Sequence, residues 1–138
     1  MRKTSYNCTK FDVKVSPYSR YRVTVMAFDT HKDWDVWDRI TGVDSEITSV
    51  GAIAACYQWD VVTEIDGKKN FQLIAVCKDS PTLAEDIMHE VVHAATNHLN
   101  IVLHERVDCI AQDEKRAEIT SYICIQISDK LGLTGNRK

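Results

Sequence analysis

The segment Phe71-Gln72-Leu73-Ile74-Ala75-Val76-Cys77 limits the fold more than any other stretch of the chain. It is an almost continuous apolar run, and side chains along a strand alternate between two faces. Both faces of such a strand therefore need cover, which a hairpin with one face in water does not provide. The chain can supply it. Its 138 residues are 44% hydrophobic and 27% charged, the mix of one ordinary folded domain. Residues 1–138 are thus read as a single α+β domain, β-rich over 1–78 and helical over 80–132.

The β-rich part divides into two hairpins. Phe11–Val15 and Tyr21–Phe28 alternate in polarity around a turn at Pro17-Tyr18-Ser19-Arg20. An extended run within Gly51–Ile65 meets the Phe71–Cys77 strand through Asp66-Gly67-Lys68-Lys69, where glycine is free to take positive φ. The expected sheet is small, N-terminal and antiparallel. Between the hairpins, Trp34 and Trp37 stand three residues apart in a short helix or ordered loop that Gly42 would end. Trp34, Trp37 and Trp59 read as core rather than groove residues, because an indole buries a large area.

Two helices follow. Ser80 suits an N-cap and Pro81 a first helical position, and the helix should run to about Asn100. Leu83, Ile87, Met88, Val91, Ala95 and Leu99 recur every three or four residues as its buried stripe. A last helix is expected from about Gln112 to Leu131, stopped by Gly132.

The first of these helices carries His89-Glu90-Val91-Val92-His93. Histidines at i and i+4 stand one turn apart on one face. Two such imidazoles can grip one tetrahedral zinc ion. Glu90 leans off that axis, in the position of a general base for water at the ion. A third ligand must come from elsewhere. His98 points about 140° away from His93 on a straight helix, so it is set aside as lying near the helix end, and His104 is farther still. Glu114, across a connecting loop, is the favoured ligand, with Ala117 small enough to let the helices approach. Glu118, one turn on, is an outer-shell acceptor or the fallback ligand. Tyr122, His98 and His104 are the possible oxyanion donors.

The stretch Asp86–Ala95 resembles the active-site helix of gluzincin metallopeptidases. Glu114-x-x-Ala117 is similar to an element of ImmA/IrrE-type and related small phage-encoded zinc peptidases. The resemblance spans roughly residues 51–131 and implies a minimal zincin-like fold, with the sheet packed on the His-Glu-x-x-His helix and the last helix. It implies His89, His93 and Glu114 as zinc ligands and Glu90 as base in peptide hydrolysis. It also implies that a sheet edge beside the site holds an extended peptide or protein substrate. The alternative is a zinc-containing, phage-type binding or inhibitor protein with a structural or vestigial site.

Bulk properties narrow the partners. A net charge of −3 and a pI near 5.9 disfavour nucleic acid, and with it a zinc nuclease. No run of eighteen apolar residues suggests a membrane span, and Met1–Asn7 lacks a signal-like apolar stretch, so the cytoplasm is expected. The five cysteines include no C-x-x-C pair, and Cys56, Cys77 and Cys124 read as reduced core residues.

Overall fold

The computed structural model describes residues 5–42, 54–65, 67–104 and 110–133. In chain order they form β1 (Cys8–Lys14), β2 (Tyr21–Phe28), α1 (His31–Thr41), β3 (Ala54–Ile65), β4 (Lys68–Cys77), α2 (Leu83–Asn97) and α3 (Ile110–Lys130). Both hairpins form. Cys8 pairs with Phe28 and Lys14 with Arg22 in one, and Ala54 with Val76 and Ile65 with Lys68 in the other. Gly67 takes φ 75° at the second turn.

The hairpins join into one sheet of order β1-β2-β4-β3, in which β2 and β4 run parallel, Val25 beside Ile74 and Phe28 beside Cys77. The sheet is therefore mixed, not the antiparallel sheet expected. Alternation fixes pairing only within a hairpin; the crossover through α1 and β3 turns β4 parallel to β2. This places the two most apolar strands in the interior.

Both faces of β4 are then covered, as its composition requires. On one face Val23, Val25, Ile74 and Val76 pack against Ile87, Val91 and Ala94 of α2 and Ile123 and Ile127 of α3. On the other, Met26, Phe28, Leu73 and Tyr57 pack against Trp34 and Trp37 of α1. Thr30 and Asp33 close a reciprocal capping box at the start of α1, and Gly42 ends it at φ 64°. Trp34 and Trp37 are thus core residues; the side chain of Trp59 lies outside the described residues.

Gln72 is the polar residue in the apolar run, and its position explains it. Pairing slips register on both sides of Asn70–Gln72, between Arg22 and Thr24 in β2 and between Gln58 and Thr63 in β3. Side-chain amides serve where ladder bonds are lost. Asn70 Oδ1 accepts from the Gln72 backbone N–H at 2.9 Å, and Asn70 Nδ2 donates to Thr24 Oγ1. Gln72 Nε2 donates to the Ala94 carbonyl at 2.9 Å, and its Oε1 accepts from Asn97 Nδ2 at 3.0 Å. The sheet thereby grips α2 just past His93.

The start of α2 differs from expectation. The helix begins at Leu83, after Thr82 rather than Ser80. The Ser80 hydroxyl accepts from the Thr82 N–H at 3.2 Å and donates to Asp86 at 2.7 Å, forming a turn before the helix. In the expected stripe, Ile87, Val91, Ala95 and Leu99 are buried, but Met88 is 59% exposed. The α-helical pattern stops at Asn97, and His98–Val102 form a π-helical turn.

That turn carries His98 inward, not to solvent. It is 5% exposed and meets the Tyr21 ring edge-on at 5.5 Å between centroids. Burial pushes its imidazole below the ordinary 6.5. The unfolded chain then takes up this proton first, so stability present above about pH 6.5 is lost as pH falls through the unfolded value. The urea midpoint is expected to drop between about pH 7.5 and about pH 5.5, and His98→Phe to flatten that dependence. An unchanged slope in the variant would assign the acid sensitivity elsewhere.

Gly132, at φ 72°, follows the end of α3. The Gln126 amide accepts from the Lys14 N–H at 2.9 Å and donates to the Lys14 carbonyl at 2.7 Å, as a neighbouring strand would, and so covers part of the β1 edge. Among the described residues, no helix is long and apolar enough to cross a membrane.

Candidate metal centre

α2 brings His89, Glu90 and His93 together, with one ligand atom from each lying within 4.8 Å of the others. Among the described residues this is the one group of three or more metal-capable side chains. The two imidazoles are exposed and meet edge to face, with Nε2 atoms 3.3 Å apart. Two nitrogens bound at 2.0–2.1 Å to a tetrahedral ion are separated by about 3.3–3.4 Å. The spacing therefore fits the edge of such a coordination tetrahedron. A hydrogen bond between the rings has the same length, so the distance shows fit.

Glu90 differs from its neighbours in burial. It is 7% exposed and lies near enough to Cys56 of β3 for its charge to act on that thiol. Burial raises its carboxyl above the ordinary value, while His89 and His93 pull it down less strongly. A proton acceptor works best with a value closer to neutral than that of an exposed carboxylate. The Cys56 thiol, on β3, is pushed up to about 12 by burial and then by the Glu90 charge. It stays a neutral thiol and donates toward Gln72 Oε1 at 3.6 Å. Cys77 is buried as expected, whereas Cys56 and Cys124 are only partly covered.

The other candidates stand apart. Glu114 and Glu118 are both exposed on α3, and neither belongs to the group of three. Glu118 borders a different cavity, shared with Val15 and His98. His104 is exposed, with φ 52°, and His98 is buried away from the pair. Tyr122 is partly buried. A residue passed over in the sequence is Asp113, which faces the same groove as Met88 and Val92 and pairs with Arg116 at 2.6 Å. Its signal was present as an acid in the first turn of α3, but only the rotation of that helix distinguishes it from Glu114.

No family model, curated protein or solved structure matches the chain. What stands is the arrangement itself: a His-Glu-x-x-His group that can hold a metal ion, on a helix packed against a four-stranded mixed sheet.

Proposed function

We propose that the protein is a zinc-dependent metallopeptidase of minimal zincin-like design. The observation that carries this reading is the pairing of two exposed imidazoles at tetrahedral spacing with one buried carboxylate beside them. His89 and His93 would hold the ion. Zinc in that position supplies Lewis-acid chemistry, polarising a carbonyl and acidifying water. Glu90 accepts the proton of the attacking water and hands it to the leaving amine. Its burial keeps the carboxylate poorly solvated, which makes proton uptake easier.

The third ligand in this reading is a carboxylate of α3, with Glu118 as the fallback. The gluzincin resemblance favours Glu114, and position along the groove favours Asp113. The substrate is a peptide or protein. Zinc titration of purified protein tests the centre. One equivalent should bind, and His89→Ala should weaken binding by more than about a hundredfold, since a three-ligand site loses a direct bond. Glu114→Ala and Asp113→Ala should separate, with only the true ligand's loss having a comparable effect. A wild-type protein that binds less than about half an equivalent would end the zinc reading. Tight zinc binding without hydrolysis of any peptide would favour a structural site in a binding or inhibitor protein.

A further inference from the structure

Away from the metal group, a cavity of about 330 Å³ opens where the turn between β1 and β2 meets the π-helical turn after α2 and the first half of α3. Val15, Leu103 and Ile119 give it an apolar lining, and Ser16 and Ser19 add hydroxyls. The Tyr18 ring stands beside it, 98% exposed. His98 forms part of the wall and is its unusual member. Its Nδ1 is buried and has no hydrogen-bond partner among the described residues. Buried polar atoms are nearly always paired, so an orphan points to a missing partner. The π-helical turn that carries His98 inward is a form that recurs at functional sites. A cavity, an orphan ring nitrogen and an irregular helix turn thus coincide at one residue.

We propose that this cavity is a second binding site, separate from His89 and His93, for a small uncharged aromatic compound that bears a hydroxyl. The chemistry of the lining sets the class. A neutral imidazole carries one donor and one acceptor, and burial keeps His98 neutral at physiological pH. Whichever role Nδ1 holds, a hydroxyl matches it, because a hydroxyl both donates and accepts. The Ser19 hydroxyl accepts from the Tyr21 N–H at 3.0 Å and keeps its own proton to donate. Val15, Leu103 and Ile119 favour an apolar body, and the exposed Tyr18 ring favours a flat one that can stack on it. A cavity of roughly 150 Å³ already holds benzene, so a single ring fits here with room to spare. The charged residues of the wall, Lys115 and Glu118, are exposed and opposite in sign, so they select no net charge. Nδ1 is closed to bulk solvent, so the ligand enters by displacing side chains of the lining. Leu103 and Tyr18 are both exposed, and little packing opposes their movement.

The test titrates isotope-labelled full-length protein with phenol, fluorobenzene and cyclohexanol, followed by NMR. Phenol should shift the His98 ring nitrogens and the amides of Ser16, Tyr18 and Ser19 saturably. It should bind about fivefold more tightly than fluorobenzene, the net worth of one hydrogen bond. Cyclohexanol, which has the hydroxyl but no π face, should also bind more weakly than phenol. His98→Phe should make phenol and fluorobenzene equal. Should that variant not fold, two others alter only exposed side chains: Tyr18→Ala should weaken phenol, and Leu103→Trp should block it. Equal affinities of phenol and either comparison probe for the wild type would overturn the proposal. So would a phenol preference that survives His98→Phe, phenol binding untouched by both other variants, or the absence of any saturable shift. Shifts confined to His89 and His93 would place phenol at the metal group and overturn it as well.

Discussion

Replacing Glu90 by glutamine is expected to leave zinc bound and to lower peptide hydrolysis by about 10²–10⁴-fold, the usual worth of a positioned general base. The side chain keeps its shape but can no longer accept a proton. A second consequence separates this residue from an inert one. Burial holds the Glu90 carboxyl above its ordinary value of 4.5, so its charged form is disfavoured in the folded chain. Above that value the charge costs stability, and the cost disappears as pH falls and the group protonates. Glu90→Gln removes the charge, so the metal-free variant should melt at a higher temperature than the metal-free wild type at neutral pH. Stability exchanged for activity is the mark of a functional group. A variant with less activity and lower stability would instead make Glu90 a structural residue.

Trp34→Ala should cost about 3–5 kcal/mol, the range for removing a fully buried large aromatic. Trp34 is fully buried, stacks near Phe28 at 6.5 Å and donates from Nε1 to the Tyr57 hydroxyl at 3.1 Å. Truncation leaves a cavity and takes the Nε1 donor away from the Tyr57 hydroxyl. A domain of this kind has only about 5–15 kcal/mol in total. The denaturant midpoint should fall steeply at nearly constant m-value. Zinc affinity of the fraction that remains folded should be unchanged, because α1 and α2 lie on opposite faces of the sheet. A loss below about 1 kcal/mol would show that α1 does not seal that face.

Much of the scaffold is legible in the residue pattern. The Phe71–Cys77 run demands cover on both faces, and the structure provides it. Two tryptophans three residues apart, between Thr30 and Gly42, become a capped core helix. The i, i+4 spacing of His89 and His93 puts their nitrogens together, because helix geometry is local and nearly invariant. Met88 shows where periodicity stops. It lies at the margin of an apolar stripe, and whether a marginal position is covered depends on how closely α3 approaches. The π-helical turn at His98–Val102 is likewise not marked by any local residue pattern.

The sequence by itself determined that this chain has a doubly covered strand, a helix with a histidine pair on one face, and a carboxylate one residue from the first of them. Each follows from side-chain alternation or from 3.6 residues per turn, rules that act over a few residues. Only the tertiary structure decided that β2 and β4 pair in parallel, that Glu90 is buried while the imidazoles stay exposed, and that Asp113 rather than Glu114 faces the groove. Those outcomes depend on how whole elements rotate and slide against one another to bury the most apolar area, and no local pattern records that choice.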